Sequence, residues 1–143
     1  MKRKHLIILS LISIGLVSCN GFIIEQNIVG NYYLTAPDIP EQCSISYHDK
    51  SSGSNYSTII NCTVFSIGHN KEYIIAKQHP EIGASDKPNK KLVNYYILPV
   101  KEKLTVESED EIIGPLNKIQ FEKELIILGI KDIVFDVQIE GLK

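Results

Sequence analysis

From position 31 to position 100 the chain repeats one pattern, a short run rich in Tyr, Ile, Val, Thr and Phe followed by a polar turn. The runs cover 31–36, 42–48, 57–67, 73–78 and 92–100. Branched and aromatic side chains fit a pleated, half-buried surface, so each run is expected as a strand. Gly68-His69-Asn70-Lys71 supplies a tight turn, because Gly and Asn tolerate positive φ. Pro99 ends the last run or puts it at a sheet edge, and 103–106 suit a short additional strand. The longest expected loop is 79–91, with two prolines, a glycine and a run of Asp, Lys and Asn.

One segment changes period. Phe121, Leu125 and Leu128 are spaced by four and three, one apolar stripe of a helix. Gly114-Pro115 is expected to open that helix, since proline at a first turn loses little. Leu128-Gly129-Ile130 ends it as a glycine cap, and 134–139 read as a last strand. The expected class is α+β: a mostly antiparallel β-meander sheet, one helix in the C-terminal half packed on one face, and a final strand.

The beginning of the chain says where it works. Lys2, Arg3 and Lys4 precede an apolar run over 6–16, and Leu16-Val17-Ser18-Cys19 follows. Basic, apolar and small residues in that order form a secretory signal. Eleven residues are too few for a membrane span, which needs about twenty. The terminal cysteine resembles the lipobox of bacterial lipoproteins, which implies acylation at Cys19. The expected organisation is a signal peptide over 1–18, a lipid-anchored tether over 19–30 and one α+β domain over 31–143. Phe22, Ile23 and Ile24 are rather apolar for a tether.

Removal of 1–18 leaves 12 basic against 17 acidic side chains, a net charge of −5. Nucleic acid is a poor partner for such a domain, since its affinity comes from phosphate neutralisation. Attachment to the membrane would come from the acyl chains. Cys43 and Cys62 remain in a compartment that permits disulfides. They flank the polar stretch 49–55, so hairpin pairing would set them opposite each other, and a bridge is expected. Closing a loop of about 19 residues would favour folding by roughly 3 kcal/mol.

Candidate chemistry is sparse. His48, His69 and His79 fall outside any H-E-x-x-H pattern. There is no Gly-x-Ser-x-Gly elbow and no Gly-rich phosphate loop. His48 beside Asp49 is a weak acid–base or metal candidate, and an exposed turn histidine is the plainer reading. The acidic run 107–111 reads as a solvated turn. No catalytic, cofactor or metal site is expected. The sharpest local signal is Tyr73-Ile74-Ile75-Ala76-Lys77-Gln78-His79-Pro80, an apolar strand turning abruptly polar. Lys77 and His79 share one face and Gln78 the other. They either tie down the following loop or, with that loop and Tyr95, form a recognition surface. The candidate surface is therefore Lys77, Gln78, His79 and Tyr95.

Thr63-Val64-Phe65, Gly68, Asn70, the 73–80 motif, Asn94-Tyr95-Tyr96-Ile97 and Ile113-Gly114-Pro115-Leu116 together resemble a family of small uncharacterised bacterial lipoproteins, a domain of unknown function. The resemblance covers roughly 30–130. It implies a secreted, lipid-anchored domain of the bacterial cell envelope and supplies no mechanism. The expected function is a non-enzymatic binding or structural module whose partner is an unidentified protein or small ligand. The alternative is a surface-tethered inhibitor or immunity-type protein, whose acidic charge suits a basic secreted enzyme or toxin. A hydrolase using His48 or His79 is the third reading.

Overall fold

A computed structural model describes residues 21–143 apart from 52, 54, 83–84, 106–107 and 109, so the signal over 1–18 and Cys19 lie outside the described residues. The order is β1 (Ile24–Val29), β2 (Tyr32–Ala36), a 3-10 turn (Pro40–Gln42), β3 (Ser44–His48), β4 (Tyr56–Ile60), β5 (Val64–His69) and β6 (Tyr73–Gln78). Then follow β7 (Glu81–Ile82), β8 (Ser85–Pro88), β9 (Asn94–Pro99), β10 (Ile113–Leu116), α1 (Lys118–Ile127) and β11 (Val137–Gln138). Every pairing among them is antiparallel. The expected α+β class, with a helix in the C-terminal half and a final strand, is what the chain adopts.

The meander runs through two sheets. Sheet 1 has the order β1-β2-β3-β4 and sheet 2 the order β10-β9-β6-β5-β11, with β7-β8 as a separate ribbon. The inward faces of the two sheets enclose the larger core, which includes Tyr32, Leu34, Ile45, Ile60, Val64, Ile67, Ile74, Ala76 and Leu98. Ile75 and Ile97 point the other way, onto Phe121 and Leu125 of α1 and onto Ile130 and Ile133. Strands β6 and β9 are thus covered on both faces, which is why Ile74-Ile75-Ala76 and Ile97-Leu98 are continuously apolar. A ten-residue helix is marginal alone. Phe121 and Leu125 hold it on the sheet, at about 1.5–3 kcal/mol for each buried side chain.

The ends of α1 are set locally. Asn117 Oδ1 accepts from Gln120 N at 3.0 Å, and Gln120 Oε1 accepts from Asn117 N at 3.0 Å, a reciprocal capping box. Gly114 and Pro115, expected to open the helix, belong to β10 instead. At the other end Ile130 N donates to Leu125 O at 2.9 Å and Gly129 N to Ile126 O at 3.1 Å. Gly129 has φ of +69°, so this is the glycine-terminated motif read from the sequence.

Five further expectations need correction. The run 57–67 is not one strand, because Asn61, Cys62 and Thr63 carry the chain from sheet 1 to sheet 2. The tether over 19–30 is folded from Ile24 onward, where β1 pairs with β2 through Ile24↔Ala36 and Glu25↔Thr35. The segment 79–91 contains the β7-β8 ribbon rather than an open loop, and 103–105 form no strand. Cys43 and Cys62 are not joined by a disulfide. The pair Ile45↔Ile60 does keep the expected hairpin register. Beyond it, however, Cys43 O accepts from Val64 N at 2.8 Å. The chain has left the ladder at 61–62, with Cys43 in the core and the Cys62 thiol donating to Glu81 Oε1 at 3.4 Å.

Candidate functional site

The four residues of the expected surface divide into two pairs. Gln78 and His79 are buried, 6% and 2% exposed. Gln78 Nε2 donates to the carbonyls of Asn61 (2.9 Å) and Cys62 (3.2 Å). Its Oε1 accepts from Asn94 Nδ2 and Tyr96 Oη, each at 3.2 Å. His79 N donates to Thr63 O at 3.0 Å, and Thr63 Oγ1 donates to Glu41 O at 2.7 Å. The His79 ring stacks on Phe65 at 4.1 Å, with Nδ1 2.7 Å from Leu92 O and Nε2 2.9 Å from Leu142 O. Carbonyls only accept, so a neutral ring donates to one of them and the doubly protonated ring to both. These side chains clamp the crossing between the sheets and tie down the loop and the C-terminal segment, the plainer of the two readings.

Lys77 and Tyr95 face away from Gln78. They pair across β6 and β9, Lys77 pairs with Ser66 across β6 and β5, and Ser66 with Gln138 across β5 and β11. Directly paired residues point to the same side of a sheet, so Tyr95, Lys77, Ser66 and Gln138 form one row across four strands. Ile75 and Ile97, two residues further along the same face, lie beneath α1. Phe121 of α1 packs on Tyr95 at one end of the row. The row also floors a cavity of about 380 Å³, whose rim is completed by His79, Lys90, Val93 and Lys143.

The surroundings fix these groups. A Cβ at Gly68 would overlap the carbonyl of Val134, so only glycine lets the chain after α1 cross the sheet there. That crossing carries Phe135 over Lys77, with Nζ 4.2 Å from the ring centroid and 5.9 Å from that of Tyr95. Tyr95 packs in turn on Phe121 at 4.8 Å. Burial, helped by the charge of Lys118, holds Lys77 below the ordinary lysine value of 10.5. Lys90 Nζ donates to Gly141 O at 2.5 Å, which places its ammonium on the rim. Ser66 is 4% exposed, and its Oγ is buried without a hydrogen-bond partner.

A second concavity, of about 350 Å³, lies on the outward face of sheet 1 and includes Thr35, Ser44, Ser46, Tyr56, Thr58 and Cys62. Its hydroxyls bond to one another: Thr35 Oγ1 lies 3.2 Å from Ser44 Oγ and 2.9 Å from Ser46 Oγ. His48 stacks on Tyr56 at 4.5 Å, with Nε2 3.1 Å from Gly53 O. Among the described residues no group of three or more His, Cys, Asp or Glu side chains is placed to hold a metal, and no helix is long and apolar enough to cross a membrane.

Of the residues singled out from the sequence, Lys77, His79 and Tyr95 line the cavity on sheet 2 and Gln78 does not. Lys90 falls in the loop that the sequence attached to them, whereas Ser66, Val93, Gln138 and Lys143 were not foreseen. The alternation along β6 gave the faces. The partners come from strand register and distant loops, for which no local pattern exists. No curated protein and no solved structure matches the chain. A family model described as protein of unknown function (DUF3997) matches residues 29–140, nearly the whole of both sheets and the helix, and the chain belongs to that family.

Proposed function

We propose that the protein is a non-enzymatic binding module of the bacterial cell envelope, held at a membrane by lipid on Cys19 and binding its ligand at the Lys77 pocket. The observation that carries this reading is the row Tyr95–Lys77–Ser66–Gln138, four side chains from four adjacent strands that line one cavity. Rigid strands position the row while loops form its rim, the arrangement in which binding groups are commonly found. The histidines that suggested a hydrolase are otherwise engaged: His79 between two backbone carbonyls and Phe65, His48 against Tyr56 and Gly53. The anchor rests on the basic, apolar and small order of the first nineteen residues and on Cys19 at its end. Cys19→Ala should release the protein from membranes or leave it unprocessed. A variant still cut after Ser18 and still sedimenting with membranes like the wild type excludes lipid at this residue.

The inhibitor or immunity-type reading has one observation in its favour. Ile119, Ile126 and Ile127 of α1 are 79%, 68% and 62% exposed, a place where a protein partner would bury apolar surface.

A further inference from the structure

The geometry points to a phosphate-bearing small molecule as the ligand of the Lys77 pocket, held by the ammonium groups of Lys77, Lys90 and Lys143 and by the hydroxyl of Ser66. This rests on the binding reading above and names a ligand class for it. Charge is the first argument. Three lysines line the cavity, and no acidic side chain among the described residues lines it. None of the three is in an ion pair among the described residues. Cations gathered in one concavity repel one another unless an anion lies between them, and a cleft with walls of low dielectric focuses that field. The chain has no arginine after Arg3, so the planar fork that matches carboxylates and phosphates alike is absent. Lysine offers point charges instead, and these suit a multiply charged phosphate.

Ser66 is the second and independent argument. A buried hydroxyl without a partner is disfavoured and rare in folded proteins. This one lies in the floor of the pocket, between Lys77 and Gln138 in the cross-strand row. A phosphate oxygen among the ammonium groups would accept its proton. Size is the third argument. About 380 Å³ is more than an inorganic anion fills, and Tyr95 and Val93 offer a ring face and apolar area for an attached organic group.

The test is calorimetric titration of the full chain in nonionic micelles. Inorganic phosphate, phenyl phosphate and dihexanoyl phosphatidic acid are the ligands, with benzyl alcohol and dihexanoyl phosphatidylcholine as their controls. Phenyl phosphate should bind more tightly than inorganic phosphate and lose affinity as salt is raised. Ser66→Ala should weaken it by up to about tenfold, and Lys77→Met by about tenfold or more. Lys90→Met, on the exposed rim, repeats the charge test without touching the core. Phosphatidic acid binding with the same dependence on these variants, while phenyl phosphate stays weak, assigns the phosphate to a lipid headgroup. The reverse order assigns it to a soluble phosphomonoester. The inference is overturned if neither phosphate compound binds better than its control, or if the three variants leave the affinity unchanged. In that event, binding of benzyl alcohol that perturbs the Tyr95 ring resonances would retain the binding reading and remove only the anion. An empty pocket towards every ligand would remove both.

Discussion

Two concavities of nearly equal size lie on opposite sides of this molecule, and their hydroxyl groups are in opposite conditions. On sheet 1, Thr35 stands between Ser44 and Ser46, so each hydroxyl has a neighbour within 3.2 Å. At the end of sheet 2, Ser66 has none, and three lysines line the same cavity. A polar lining therefore does not by itself mark a site. The first groove has completed its own hydrogen bonds and gains little from a ligand, because folding has already exchanged its bonds with water for internal ones. The second has bonds still to make.

The cysteines give the largest expected contrast around the first groove. Cys62 lines it, whereas Cys43 is fully buried in the core. Burial first, and then the neighbouring Cys62, push the Cys43 thiol from 9.0 to about 12. Below pH 9 its thiolate should be scarcer than that of an ordinary cysteine by on the order of a thousandfold. Iodoacetamide followed by peptide mass spectrometry should thus label Cys62 in the folded protein and Cys43 only after unfolding. Equal labelling would show that the chain does not enclose Cys43. The same shift has a sign for stability. The folded state keeps this proton longer than the unfolded state does. The contribution is therefore intact below pH 9 and is lost as pH rises towards about 12.

Gln78 lies between the two regions and holds the joint that separates them. Gln78→Ala would leave the carbonyls of Asn61 and Cys62 without their donor and Asn94 and Tyr96 without their acceptor. Buried groups left unpaired cost about 1–3 kcal/mol each before relaxation, so a loss on the order of 3 kcal/mol is expected in urea unfolding. A loss below about 0.5 kcal/mol, the range of ordinary surface changes, would mean that water replaces the amide and that the joint is held elsewhere.

That joint also explains what could be read from the sequence. Strands β6 and β9, the Phe121–Leu125 stripe and its C-terminal end were legible, because alternation, stripe spacing and a glycine cap are local signals. The division of 57–67 was not. Asn61-Cys62-Thr63 offers no proline or glycine, and the break is made by side chains from β6 that are distant in sequence. The 73–80 motif was noticed for its polar end, yet Gln78 serves the fold alone, while Lys77 and the buried His79 line the pocket. The full row needed the register of four strands, including the irregularity between Val64 and Ser66, which shifts Ser66 opposite Lys77. Periodicity cannot supply such a shift.

The smallest expected effect decides the comparison between the two concavities most directly. Thr35→Val keeps the shape of the side chain and removes the hydroxyl shared by two serines. Ser46 loses its 2.9 Å neighbour, and Ser44 keeps only its 3.4 Å bond to Thr35 O. All three residues are buried, so the variant should lose about 1–2 kcal/mol. Ser66→Ala also removes one buried hydroxyl from an outward sheet face, but that hydroxyl has no partner to orphan. Its removal relieves an unsatisfied group, so stability should stay within about 0.5 kcal/mol of wild type or rise slightly. Urea denaturation of both variants in buffer free of phosphate measures the difference. A Ser66→Ala loss as large as that of Thr35→Val would mean that Ser66 is already bonded, by water or by a backbone carbonyl, and that the open row is as complete as the closed groove. A neutral or stabilising result, beside a clear loss at Thr35, would mean that the fold tolerates at Ser66 an incomplete hydrogen bond that it does not tolerate in sheet 1.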